Sequence, residues 1–383
     1  MFRLEMLPAG SGDCLLLQYG SVETPHIVVI DGGVGDTATV LKRRLEGLRD
    51  DAGLTELPIE LLVVTHIDTD HIDGIRGLLA DGAPQLRIQD IWFNGTEQLK
   101  RLKPREPRDR MGSSTSHNED DEFSPSGEPG TTHTDFLGPA EGEDLSERIK
   151  TLGIPWNQAF LGKLVGAPEK GDLTLKEVGD LKITVLGPNR KSLDALVAAW
   201  RKKLGGIGDV ADDMMGKQDT WPPVFKEGEG KDSSQSNGSS IALLIEYGEF
   251  RLLLPGDAHA PDLAAALRRL AKKRKVARIE LSAFKLSHHG SIANISKGLM
   301  DAITCENYLI STDGIDHAHP DYQAILRVLK HSVGTPCLYF NYQNTRNAIW
   351  RDKKLDMTGN GEFRTYETEY PEDAAQGIAI DFR

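Results

Sequence analysis

Cysteine is scarce in this chain: Cys14, Cys305 and Cys337 are the only three, and they lie far apart. So few and so scattered, they exclude a disulfide framework and a cysteine-based zinc site. Long apolar runs are missing too. No run approaches the roughly 20 residues that a membrane helix needs, and the first residues lack a basic stretch followed by an apolar one. Neither a membrane span nor a secretory leader is expected, and cytoplasmic residence is the default expectation. Positive charge is also in deficit. Against 58 Asp and Glu stand 45 Lys and Arg, giving a formal net charge of −13. That balance counts against a broad, sequence-independent nucleic-acid surface, because such binding rests on neutralised phosphates. Two local stretches, 100–110 and 268–278, nevertheless concentrate Lys and Arg. The second reads either as a solvated helix face or as a patch that tracks phosphates.

What is present is an ordinary globular composition, 39% hydrophobic and 27% charged over 383 residues. A chain of this length can bury a sizeable core, as one large domain or two. Its first 95 residues alternate strands and helices. Strands are predicted at Arg3–Leu7, Cys14–Tyr19, Ile27–Ile30, Ile59–Val64 and Ile91–Phe93, and helices at Thr37–Leu48 and Ile72–Leu79. From Thr96 to about Leu152 the pattern breaks into polar, Ser-, Gly- and Pro-rich sequence with an acidic run, read as an insertion over 96–152. After the Leu181–Leu186 strand and a helix over Ser192–Leu204 comes a second polar insertion, 205–235. Strands at Ser239–Tyr247, Phe250–Leu254, Leu281–Leu286, Asn307–Ile310 and Cys337–Phe340 then enclose helices at Pro261–Lys273 and Asp321–Lys330.

The most informative segment is Thr65-His66-Ile67-Asp68-Thr69-Asp70-His71, directly after an apolar strand. Crowded aspartates resist ionisation unless positive charge offsets them. A divalent cation removes that conflict and acidifies a bound water. A polar turn with Asp70 capping the next helix would explain one aspartate and neither histidine. Two further apolar strands also end in such groups, at Asp257 and at His288-His289. Side chains at the ends of neighbouring strands converge on one rim of a sheet.

These residues resemble the metallo-β-lactamase superfamily of hydrolases, whose signature is H-x-H-x-D-H at a strand end. The likeness is nearest to the hydrolase domain of ComEC-type competence proteins. It is carried by Gly10-Ser11-Gly12-Asp13, Ile30-Asp31-Gly32-Gly33, His66-x-Asp68-x-Asp70-His71, Asn237-Gly238-Ser239-Ser240, Leu254-Pro255-Gly256-Asp257, Lys285-Leu286-Ser287-His288-His289-Gly290-Ser291 and His317-x-His319-Pro320. The resemblance implies a single α/β domain over 1–383, a four-layer αββα sandwich with the two polar insertions outside it. It implies that Asp70, His71, Asp257 and one of His288 and His289 bind one divalent metal, and that His66 and Asp68 bind a second, with Asp257 bridging. Asp31 would be a nearby supporting carboxylate or a residue opening the Gly-Gly turn.

Asp68 stands where the commonest motif has His, which shifts preference from zinc toward manganese or magnesium without excluding zinc. The further histidine that the family often supplies would have to be His117 or His133, or be replaced by Asn237. His319 or His317 is read as an acid or phosphate ligand, with Asp70 and Asp257 completing the catalytic set. His259 is read as a helix-start residue, and the direction of Lys285 is left open. The expected reaction is hydrolysis of a phosphodiester, with DNA or RNA as substrate. A small phosphoester or other small metabolite is the alternative, and a scaffold subunit of a multi-protein assembly, with protein partners, is a third.

Overall fold

The computed structural model describes every residue except 22, 24, 84, 103–137, 205–220, 222, 227, 229, 316 and 352–353. The first sheet takes β1 (Phe2–Met6), β2 (Leu15–Gly20), β3 (Pro25–Ile30), β4 (Leu61–Val63) and β5 (Ile91–Trp92). The second takes β6 (Thr174–Val178), β7 (Leu181–Val185), β8 (Leu243–Tyr247), β9 (Phe250–Leu254), β10 (Ala283–Lys285), β11 (Asn307–Ile310), β12 (Cys337–Phe340) and β13 (Glu367–Glu369). A last strand, β14 (Ile378–Asp381), returns to the first sheet beside β1, with Leu4 opposite Ile380. The orders are β14-β1-β2-β3-β4-β5 and β13-β12-β11-β10-β9-β8-β7-β6.

Alternation along the strands shows how the sheets stack. Val28 and Ile30 of β3, Leu61 and Val63 of β4, and Leu252 and Leu254 of β9 share one core between the sheets. Their neighbours point the other way. Ile27, Val29 and Leu62 meet α1 (Thr37–Asp51), α2 (Thr69–Leu79), α3 (Gly138–Thr151) and α4 (Arg190–Leu204). Leu253 and Phe284 meet α5 (Ala260–Arg274) and α6 (Tyr322–His331). Both faces of both sheets are therefore covered, and the architecture is the expected αββα sandwich.

Parallel pairing then decides where the polar strand ends go. β3, β4 and β5 run parallel in the first sheet, and β9 through β13 in the second. Their carboxyl ends consequently share one rim, which gathers Asp31, His66, Asp257, His288 and Ser311 from strands far apart in sequence.

Some expectations required correction. The stretch read as irregular from Thr96 to Leu152 contains a helical turn at Thr96–Lys100 and the whole of α3, which buries Leu145 and Ile149. Its few apolar positions are masked by Gly, Glu and Ser in the sequence. The strand expected over Ser239–Tyr247 begins only at Leu243. Residues Gln235–Gly238 instead form a helical turn capped by Ser234, whose Oγ accepts from Asn237 N at 3.2 Å. β6, β13 and β14 were not anticipated. His117, His133 and residues 103–110 of the first basic stretch lie outside the described residues.

Deleting residues 378–383 should strip β1 of its outer partner and remove Phe382 from its tilted contact with Phe2, ring centroids 5.6 Å apart. The unfolding free energy should fall by about 2–4 kcal/mol, read from the urea midpoint.

Candidate metal centre

Four histidine rings enclose the carboxylate of Asp257. Its Oδ2 lies 3.3 Å from His71 Nε2, 3.5 Å from His289 Nε2, and 3.9 Å from both His66 Nε2 and His288 Nε2. Asp70 Oδ2 is 3.2 Å from His289 Nε2 and 3.8 Å from His71 Nε2. Asp68 Oδ2 is 3.3 Å from His66 Nε2. The structure thus brings together all seven residues that the sequence motif nominated. His289 shares a corner with Asp70 and His71, while His288 reaches Asp257 from the side of His319, whose ring centroid is 5.2 Å away.

The opposite ring nitrogens explain why the Nε2 atoms face inward. His71 Nδ1 donates to Asp31 Oδ2 at 2.9 Å, and His289 Nδ1 to the Ser311 carbonyl at 2.9 Å. His288 Nδ1 donates to Asn294 Oδ1 at 3.0 Å. His66 Nδ1 donates to Thr65 Oγ1 at 3.0 Å, because that hydroxyl already gives its own proton to Asp31 Oδ2 at 2.7 Å. Each neutral imidazole, with its proton held on Nδ1, turns an Nε2 lone pair toward the centre. Asp31 is the anchor of this arrangement. Fully buried, it also accepts Thr65 N at 2.7 Å and so orients His71 directly and His66 through one hydroxyl. It is a supporting carboxylate as well as the opening of its turn, where its φ is +58°.

The donor set fits divalent cations. His71 Nε2 and His289 Nε2 approach to 3.3 Å although neither has a proton to share in that tautomer. Ligands about 2.05 Å from a tetrahedral ion are separated by about 3.3 Å, and the Asp70 and Asp257 oxygens each lie 3.2 to 3.8 Å from His71 and His289. His66 Nε2, Asp68 Oδ1 and Asp257 Oδ1 are buried and have no hydrogen-bond partner, as expected of groups reserved for a metal. With this many imidazoles the set is less oxygen-rich than Asp68 alone suggested.

Without a cation, protons take its place. Burial works against a charged His71, but the carboxylates of Asp257, Asp70 and Asp31 outweigh it and hold the ring well above its ordinary pKa. His289 is raised in the same way, chiefly by Asp257 against its burial. Burial resists ionisation of Asp70 and Asp257, yet the histidines around them hold both well below the ordinary carboxylate range.

Several supporting residues had no role assigned from the sequence, although Asp13 and Lys285 fall within the motifs that carry the resemblance. Asp13 and Lys285 are both buried and form a close ion pair. Burial opposes the Asp13 charge, but Lys285 and His289 bring its pKa down to about 2. Asp13 Oδ1 lies 3.4 Å from His289 Nδ1, so the pair borders the imidazole from behind. Asp232, within the second polar insertion, accepts from Asn237 Nδ2 at 3.0 Å and Asn294 Nδ2 at 2.8 Å. Asn237 therefore acts through Asp232, which stands 3.8 Å from His288 Nδ1.

His259 does start α5, and its Nε2 reaches the Ser234 carbonyl at 2.9 Å, outside the cluster. His319 is buried, with no hydrogen bond to either ring nitrogen. Burial and the nearby His288 and His289 push it well below its ordinary pKa, so it is neutral and presents an N–H rather than a spare proton. His317 is half-buried, 6.3 Å from His319 between ring centroids.

No protein-family model matches the chain, and no curated protein matches it. Among solved structures it is similar to a candidate metal-dependent hydrolase from Parabacteroides distasonis ATCC 8503, at 9% identity and a TM-score of 0.36, over 96% of this chain and 91% of that one. It is also similar to CmlA, a diiron β-hydroxylase from Streptomyces venezuelae, at 11% identity and a TM-score of 0.36. That match covers 86% of this chain and 51% of CmlA, so this chain spans about half of CmlA's length.

Two outcomes are expected. Asp31→Asn should weaken divalent-metal binding by about 10–100-fold in equilibrium dialysis, since it loosens His71 and His66 together. Metal affinity should also climb with pH through neutrality, because the raised His71 and His289 must release protons on binding. A slope of log affinity on pH near zero between about pH 6 and 8 would contradict that competition.

Proposed function

We propose that this chain is a metal-dependent hydrolase acting on a phosphodiester, with nucleic acid as the preferred substrate. The supporting observation is the set of four imidazole lone pairs held inward around Asp257 by acceptors on their far sides. His66, Asp68 and His288 would hold one ion and Asp70, His71 and His289 another, with Asp257 between them. Zinc or manganese suits this mixture of nitrogen and oxygen. When bound, such ions supply charge stabilisation and the acidification of a water.

The rest belongs to the chain. Asp68 and Asp70 keep side-chain exposures of 18% and 16% while the histidines are buried, so the site opens toward them. A carboxylate oxygen of Asp70 at that opening can accept a hydrogen bond from a water and orient it. The neutral His319 ring can offer an N–H to a phosphoryl oxygen as charge develops there. Buried walls elsewhere keep other water away. The motif resemblance to the ComEC-type branch is what favours nucleic acid as the source of the ester.

A small phosphoester is the second reading, and one observation favours it. On α5, Arg268 and Arg269 bind backbone carbonyls, while Lys273 pairs with Asp172 and Arg274 with Glu246. Those cations secure local structure, and at 15 residues α5 carries its last turn about 20 Å from Asp257.

With manganese or zinc, the full chain should cleave bis(p-nitrophenyl) phosphate and single-stranded DNA or RNA, and Asp70→Asn should lose at least about 100-fold in kcat. Cleavage of the chromogenic ester with no polymer attacked favours the small substrate. Inertness of a metal-loaded protein toward every ester would sink the hydrolase reading.

A further inference from the structure

Residues 230–238, at the end of the second polar insertion, lie apart from the strand ends that deliver the ligands. They nevertheless bring a carboxylate to the far side of His288. The Asp232 side chain is only 6% exposed. Its Oδ1 accepts from Ser234 N at 2.8 Å, and its Oδ2 from Asn237 Nδ2 at 3.0 Å and Asn294 Nδ2 at 2.8 Å. Rings of His259 and His288 stand 3.6 and 3.8 Å from its oxygens.

Close backbone contact fixes this segment. A Cβ on Gly230 would lie 2.8 Å from Ala293 Cα, and one on Gly238 would lie 2.7 Å from His259 Cε1. Ser234 caps the 235–238 turn, and its carbonyl accepts from His259 Nε2 at 2.9 Å. The segment is therefore seated both on the loop that carries Asn294 and on the start of α5.

Asn294 relays the position of Asp232 to His288. A side-chain amide donates at one end and accepts at the other, and its neighbours decide which way round it sits. Asn294 Nδ2 faces Asp232 Oδ2 and, at 3.1 Å, the Asp257 main-chain carbonyl, which leaves Oδ1 to accept from His288 Nδ1 at 3.0 Å. Hydrogen bonds to a carboxylate are roughly twice as strong as neutral ones, so Asp232 does more than that carbonyl to hold the amide. Turned over, Asn294 would set an N–H against His288 Nδ1. The ring proton would then sit on Nε2, and no lone pair would face Asp257. The other three rings have separate supports: His71 has Asp31, His289 the Ser311 carbonyl and His66 the Thr65 hydroxyl.

We infer that Asp232 is a positioning residue for one of the two ions. Through Asn294 it keeps His288 in its metal-binding orientation, so the ion of His66, Asp68 and His288 depends on the insertion. The ion of Asp70, His71 and His289 does not. This rests on the two-ion arrangement proposed above and is independent of the substrate.

The test is calorimetric titration of the full, chelator-stripped chain with manganese, with no ester present. The wild type should bind two ions. Asp232→Asn, which keeps the shape and removes the charge, should weaken one binding step about 10–100-fold and leave the other within about twofold. His66→Ala should weaken that same step and so identifies it. Asn294→Ala should reproduce the pattern, and adding Asp232→Asn to it should cost little more, because the two residues act in series. The retained step reports that each variant folds.

Equal weakening of both steps in Asp232→Asn and Asn294→Ala alike, or no change in either, overturns the inference and leaves the hydrolase reading intact. Full additivity in the double variant does the same, as does a wild type that binds a single ion. Selective loss of one step in a protein that cleaves no ester keeps the role of Asp232 and ends the hydrolase reading.

Discussion

The structure turns on one electrostatic constraint. Imidazole lone pairs and ionised carboxylates have been driven into a dry rim and aimed at one another. His71 Nε2 and His289 Nε2, 3.3 Å apart, cannot bond each other while Asp31 and Ser311 hold their protons on the far side. Only positive charge between them relieves the repulsion, supplied by protons or by metal. Acceptors behind each ring keep the conflict in place, so a cation is favoured over rearrangement.

Fold and site are linked through strand direction. Parallel pairing in half of each sheet sends the carboxyl ends to one rim, and the sandwich brings the two rims together. Local backbone strain finishes the placement. His288 and His289 both take left-handed conformations, with φ of +50° and +53°, which non-glycine residues adopt at a cost. Those consecutive turns let two adjacent rings reach the same carboxylate, where an extended strand would have pointed them apart. That geometry is why both histidines face Asp257, although the resemblance had implied only one ligand.

Much of this was legible in the sequence, for a physical reason. A short apolar run with His or Asp one to three residues beyond it marks a buried strand delivering a ligand, and it marked His66, Asp257 and His288 alike. Asp31, which works through Thr65 and His71, carries the same mark, but the other supporting residues do not. Asp232 lies in polar sequence that resembles a loop, and only the fold shows it receiving Asn237 and Asn294. Lys285 sits on an otherwise apolar strand, and its partner Asp13 is distant in sequence. Pairing of β1 with β14 spans almost the whole chain, beyond the reach of local pattern. The basic stretch 268–278 was ambiguous because charge alone does not reveal whether carboxylates and carbonyls are already waiting for it.

A Cβ on Gly12 would overlap the Asp70 carbonyl oxygen, and one on Gly74 would overlap Gly32. Those bare backbones touch, and they are fastened by Asp13 N to Asp70 O at 3.2 Å, Gly32 N to His71 O at 2.8 Å and Gly74 N to Gly33 O at 3.1 Å. The opening of α2, which carries Asp70 and His71, is thereby riveted to the neighbouring loops and cannot swing outward. Because that backbone is fixed, a bound divalent cation would have to accept the spacing that the Asp70 and His71 side chains already have, and could not draw them together.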